Sequence, residues 1–142
     1  LYIILIVLTS FNAVAQNQTN KPLRHVFQTT APSKIPYGNN AKAGHYANAG
    51  DAKIYYEVYG KGEPFVLLHG GVFGATIEMA QLIDSLSKTN LVIAISTRGH
   101  GKSEIGSQPM TYEQRANDVY AVVKETTKEK IILLGFSDGA FT

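Results

Sequence analysis

The sequence predicts an α/β fold: a mostly parallel sheet with an antiparallel edge hairpin and helices on both faces. Three observations carry this. Phe65-Val66-Leu67-Leu68, Leu91-Val92-Ile93-Ala94-Ile95 and Ile131-Ile132-Leu133-Leu134 are short, fully apolar runs, the pattern of parallel strands covered on both sides. The segments between them carry apolar residues at helical spacing. A tyrosine-rich run precedes them and alternates its two faces.

In chain order, His45-Tyr46-Ala47-Asn48 and Lys53-Ile54-Tyr55-Tyr56-Glu57-Val58-Tyr59-Gly60 read as a hairpin turning at Gly50-Asp51. Ile54, Tyr56 and Val58 share one face; Tyr55, Glu57 and Tyr59 share the other, as sheet packing. After a turn at 60–64 comes the first apolar strand. Met79, Leu82, Ile83 and Leu86 then recur at i, i+3, i+4, i+7, predicting a helix over 76–88 with Asn90 as its C-terminal cap. The second strand follows, then a loop to Pro109. Thr111 with Gln114 three residues later is a capping box, and Tyr112, Ala116, Val119 and Val123 line one face of a helix reaching about 128. Strand 130–134 closes the series, giving strand–helix–strand–helix–strand after the hairpin.

Composition limits the rest. The 142 residues are 44% hydrophobic and 17% charged with a net charge of +2, which suits a globular domain and argues for neither nucleic acid nor an acidic partner. The absence of cysteine excludes disulfides, thiolate metal sites and a lipidated cysteine. Residues 1–8 are apolar throughout, and Ala13-Val14-Ala15 follows shortly after. That pattern predicts the end of a secretory signal peptide over 1–15, cleaved after Ala15, with its N-terminal portion missing. The run is shorter than the ~20 residues a membrane helix needs, so no stable span is expected after cleavage. Residues 16–42 hold Pro22, Pro32, Pro36, four bases and no acid, and read as a polar tail or linker. Asn17-Gln18-Thr19 fits the N-glycosylation pattern. The domain is expected to begin at 43, in a secreted or periplasmic protein.

The loops after parallel strands lie at one edge of the sheet, where ligands bind. Here they are 69–74, 96–108 and 135–139. Gly135-Phe136-Ser137-Asp138-Gly139 reads G-x-S-x-G after a strand. A serine at a sharp strand-to-helix turn presents its hydroxyl at the sheet edge, and a Cβ two residues to either side would collide with neighbouring backbone. By itself the stretch fits either a catalytic nucleophile at Ser137 or a plain chain reversal; its company at the edge favours the nucleophile. His69-Gly70-Gly71 can turn backbone N–H groups inward. Gly71 or Val72 is the expected first oxyanion donor, and the N–H of Asp138 the second. His69 is expected to fix its loop rather than act as a base. Gly101-Lys102-Ser103 resembles the end of a phosphate-binding loop, but Ser96 stands where that loop needs glycine, and Gly106 and Pro109 forbid the helix it requires. Arg98, Gly99 and Gly101 therefore read as a structural loop tied in by Arg98, with His100 and Lys102 solvated.

These motifs, in this order over 43–142, resemble the N-terminal half of an α/β-hydrolase-fold protein: the strand with H-G-G (65–71), the strand with R-G-x-G-x-S (91–103) and the G-x-S-x-G elbow (135–139). The elbow is similar to that of valacyclovir-hydrolase-like esterases. The serine disfavours the haloalkane dehalogenase and epoxide hydrolase branches, which use aspartate. Members often carry Asp two residues before the loop arginine, where this chain has Ser96, a change expected to alter loop anchoring. The resemblance implies a serine hydrolase cleaving a small-molecule ester or amide through an acyl-enzyme on Ser137, with no cofactor and no metal. It also implies a triad acid and histidine after the nucleophile. His25, His45, His69 and His100 all precede Ser137 and match no triad position. The chain is accordingly expected to be a partial product, inactive alone. The side chain of Asp138 is expected either to accept a substrate ammonium or to matter through its backbone alone. The alternative from another class is a non-catalytic ligand-binding or sensor protein on the same fold.

Overall fold

In the computed structural model, which describes residues 33–72 and 74–142, five strands form one sheet in the order β1-β2-β4-β3-β5. They are β1 (Gly44–Asn48), β2 (Lys53–Gly60), β3 (Glu63–Leu68), β4 (Asn90–Ile95) and β5 (Ile132–Gly135). β1, β2 and β4 pair antiparallel in turn, while β3 runs parallel to both β4 and β5. The signal peptide over 1–15, the glycosylation pattern at Asn17 and the tail up to Pro32 lie outside the described residues.

Each face of the sheet buries one helix. β3 steps to β4 on one side through α1 (Ala80–Leu86), and β4 steps back across β3 to β5 through α2 (Tyr112–Thr126). Met79 and Ile83 pack with Leu67, Val92 and Ala94 on the first face. Val119 and Val122 pack with Ile54, Tyr56, Val66, Leu68, Ile93 and Ile95 on the second. Both faces of β3 and β4 are therefore dry, which is why their sequences read as unbroken apolar runs.

The helices differ from expectation in detail. The helix expected over 76–88 opens as a 3₁₀ turn, Thr76–Met79, and ends at Leu86. Asn90 does cap it, but from within β4, donating from Nδ2 to Leu86 O at 3.1 Å. Thr111 caps α2 by accepting the Gln114 N–H at 3.1 Å; the Gln114 side chain turns instead to Asp118 Oδ1. The buried face of α2 is Asp118, Val119 and Val122, whereas Tyr112 and Ala116 are exposed. Asp118 displaces the expected stripe because its partner lies beneath it.

That partner is Arg98, fully buried. Its Nε and Nη2 donate to Asp118 Oδ2 and Oδ1, both at 2.8 Å, and Nη1 donates to Ile105 O at 3.1 Å. Nη1 also lies 3.0 Å from Asp51 Oδ1. One guanidinium thus joins the hairpin turn, the loop after β4 and α2. The Asp118 hydrogen bonds, outweighing burial, hold its pKa above the ordinary arginine value. Asp51 is lowered to about 2, first by the Gln108 and Ser107 N–H groups it accepts.

A second buried charge moves the domain boundary from the expected 43. Glu57 is fully buried and accepts from Gly38 N (2.8 Å), Asn40 N (2.7 Å), Tyr55 OH and Tyr59 OH (2.8 Å each). Tyr37 is buried as well, and its hydroxyl bonds Asp84. Residues 33–42 therefore belong to the same compact unit, Ser33–Thr142, as the sheet. Glu57 also shows that the second face of β2 is a polar anchor rather than plain tyrosine packing.

Replacing Arg98 with Met would strand Asp118 under the helix with only the Gln114 amide for company. We expect Arg98→Met to lower the unfolding free energy by about 3–5 kcal/mol, read as a fall in the urea midpoint at constant slope. A loss below about 1 kcal/mol would contradict the anchoring role assigned to this residue.

Candidate active site

The strand register places the three loops together. Leu68 is level with Ile95 on one side and with Gly135 on the other. β3, β4 and β5 thus reach their carboxyl ends on the same rung, and the loops starting at 69, 96 and 136 leave from one line.

The turn after β5 is as tight as its glycines suggest. A Cβ on Gly139 would stand 2.6 Å from His69 O and 2.8 Å from Leu68 O, and one on Gly135 would collide with the Gly139 carbonyl. The Phe136 N–H donates to Leu68 O at 3.0 Å, pinning the end of β5 to β3. Between these fixed points Ser137 takes φ 51°, the sole positive φ on a non-glycine among the described residues, and opens a 3₁₀ turn Ser137–Ala140. Such a conformation costs about 1–3 kcal/mol and is held by its surroundings. Ser137 is exposed. Its hydroxyl has no hydrogen-bond partner among the described residues.

The H-G-G loop meets this turn. A Cβ on Gly71 would lie 3.1 Å from Asp138 Cβ, and one on Gly70 would lie 3.1 Å from the Phe136 ring and from Glu78 Oε2. The Gly70 N–H is committed to Glu78 Oε2 at 3.1 Å. The N–H groups of Gly71, Val72 and Asp138 donate to no described residue. Val72 is strongly exposed.

His69 is buried at the root of the loop. Its Nε2 accepts the Thr97 N–H at 3.1 Å, so the ring proton sits on Nδ1, which donates to Gly70 O at 2.7 Å. Burial pushes its pKa below the ordinary histidine value. Both ring nitrogens are engaged in tying the first loop to the second. His100 departs from the solvated placement expected for it: it is half-buried, 5.2 Å centroid to centroid from His69, and bonded to Thr97 Oγ1 at 3.0 Å. Lys102 is exposed, with Nζ 5.2 Å from the Tyr55 ring centroid. Gly99 and Gly101 take positive φ in the same loop. Ser96 anchors it through Oγ, 3.1 Å from Thr76 Oγ1, and through its carbonyl, which accepts from Ser103 Oγ at 2.6 Å.

Three residues at this edge escape sequence reasoning: Glu78, Tyr112 and Arg115. The Asp138 carboxylate accepts from Tyr112 OH at 3.0 Å and forms an ion pair with Arg115. Burial would raise its pKa, but these two donors outweigh that and hold it below the ordinary value. Of the two readings of this side chain, neither describes what is found: both its oxygens already have partners within the protein. No local motif announces Arg115, which is 23 positions away from Asp138 in sequence. No group of three or more metal-ligating side chains is present among the described residues, and no described helix is long and apolar enough to cross a membrane.

The imidazole at 69 makes a pH prediction. A histidine whose folded pKa is depressed contributes stability that is fully present above its unfolded value of about 6.5 and is lost as pH falls through the lowered folded value. The His69 ring resonances should therefore report a neutral Nδ1–H ring at pH 6.5, protonating only below it, with the loop loosening in step. Titration of His69 at or above 6.5 would contradict this.

Comparison with known proteins agrees with the architecture. The family model for the alpha/beta hydrolase fold matches residues 63–142. An AB hydrolase superfamily protein of Bacillus subtilis (strain 168) is 30% identical over 97 residues, covering 68% of this chain and 36% of the relative. The crystal structure of a serine hydrolase involved in carbazole degradation aligns with TM-score 0.58 and 29% identity, over 65% of this chain and 37% of that one. An epoxide hydrolase structure, CorEH, aligns with TM-score 0.60 and 32% identity, over 68% and 34%. The chain spans about a third of the length of the curated relatives it matches. With the sheet order, the elbow and the matched family model in agreement, the chain belongs to the α/β-hydrolase fold family.

Proposed function

We propose that this chain belongs to a serine hydrolase that cleaves an ester or related acyl bond of a small molecule through an acyl-enzyme on Ser137. The observation that carries the reading is the left-handed backbone of Ser137 between two glycines that admit no Cβ. A strained, exposed hydroxyl at the carboxyl edge of a parallel sheet is the arrangement a nucleophile requires. Overall likeness does not sort the branch, because the chain is as similar to an epoxide hydrolase as to a serine hydrolase. The residue at the elbow supports the acyl-transfer branch: an aspartate would attack as a carboxylate, whereas a serine calls for acyl transfer.

In this mechanism Ser137 Oγ attacks the substrate carbonyl carbon while a histidine takes its proton. The oxyanion is held by the N–H of Asp138 and that of Gly71 or Val72, amides that donate to no described residue. The histidine then protonates the leaving group, and water repeats the sequence to release the acid. His69 is unsuited to be that base, since both its nitrogens are engaged. The non-catalytic binding alternative rests on one observation, the lack of any partner for the Ser137 hydroxyl among the described residues.

A fluorophosphonate probe applied to the full-length protein separates the two. Covalent labelling of wild type that Ser137→Ala abolishes is the expected result. Equal labelling of both, or none of either, would sink the acyl-enzyme reading and leave the binding one.

A further inference from the structure

We infer that Arg115 is a positioning residue that neutralises the Asp138 carboxylate beside the oxyanion site, with Tyr112 holding the pair in place. This rests on the acyl-enzyme reading above.

The argument begins with a conflict built into the elbow. The N–H that follows the nucleophile is the one donor every such turn supplies, and the residue bearing it brings its side chain along. Here that side chain is a carboxylate. A full negative charge a few ångströms from a developing oxyanion opposes the charge the site must stabilise. The carboxylate also abuts the other donor loop, since the Cβ of Asp138 lies 3.1 Å from where a Gly71 Cβ would stand. It is thus close to both assigned donors.

The first turn of α2 resolves the conflict. Arg115 ion-pairs with Asp138 Oδ2, and Tyr112 OH donates to Oδ1 at 3.0 Å. The guanidinium carbon of Arg115 sits 5.5 Å from the Tyr112 ring centroid. Phe141 backs that ring at 5.9 Å. Tyr112 and Arg115 are three residues apart on one helix face, and the Thr111 cap fixes that turn. The Arg115 side chain is 13% exposed and that of Asp138 25%, so the pair is only partly screened by solvent. Arginine suits the task because it stays charged at any working pH.

The consequence is specific to charge. In the full-length enzyme, Arg115→Gln removes the positive charge while keeping an amide donor. It should lower kcat by roughly ten- to a hundredfold with KM changed by less than about threefold, because the uncompensated carboxylate opposes only the transition state. Adding Asp138→Asn to Arg115→Gln should restore at least about tenfold of that loss, and Arg115→Lys should recover most of it without the second change. Near-UV circular dichroism monitors packing. If Arg115→Gln does not fold, the Arg115→Lys variant and the double variant, whose neutral side chains can still hydrogen-bond each other, give the same comparison. Additive losses in the double variant, a Lys variant as poor as Gln, or an unchanged kcat in Arg115→Gln would each overturn charge compensation and leave a purely structural staple. Failure of the underlying reading looks different: wild type itself would then lack labelling and turnover that depend on Ser137, before Arg115 is altered.

Discussion

The backbone of Leu68 and His69 lies so close to Gly139 that nothing larger than hydrogen fits between them. This contact is the constraint on which the rest of the site depends. It forces the chain leaving β5 to reverse within a few residues, and it places the cost of that reversal on Ser137, the one residue left to take a positive φ. The conformation persists because both sides are fixed: β3 and β5 are paired up to Gly135, and the Phe136 N–H is bonded to Leu68. The same strand end that crowds Gly139 also launches the H-G-G loop. The proposed nucleophile and oxyanion donors are therefore set by one piece of backbone, not by two loops that must find each other.

Charge handling follows a single rule across the described domain. The buried Arg98 and Glu57 and the half-buried Asp138 are each met by several partners, some of them from distant segments. Arg98 draws on Asp118, Asp51 and Ile105 O; Glu57 draws on two backbone N–H groups and two phenols; Asp138 draws on Arg115 and Tyr112. Burying a charge without such partners is costly, so these clusters make the loops cooperative with the sheet. Arg98 locks the second loop to α2, and α2 in turn delivers Arg115 to the elbow. The helix is the mechanical link between loop anchoring and site electrostatics.

Much of this was legible in the residues. The apolar runs of β3 and β4, the tyrosine-rich hairpin, the Thr111 cap and the G-x-S-x-G turn are local signals, each with a local physical cause. What the sequence hid depends on partners far along the chain. Asp118 interrupts the apolar stripe of α2 because Arg98 waits beneath it, 20 positions earlier. The polar stretch before β1 reads as a tail because its anchor, Glu57, is concealed within a strand whose alternation predicts plain packing. The role of the Asp138 side chain stayed open between two readings because Arg115 precedes it by 23 residues with no spacing motif to reveal the pairing. The 3₁₀ opening of the helix expected at 76 is a boundary effect that periodicity does not resolve.

The central claim is that Ser137 Oγ forms the acyl bond. Rapid-quench mass spectrometry of the full-length protein, mixed with an activated ester and digested, tests it most directly. The account predicts a transient acyl mass increment on the peptide containing Ser137, formed and lost at rates consistent with turnover. Turnover without that adduct, or an adduct mapped to another residue, would contradict it.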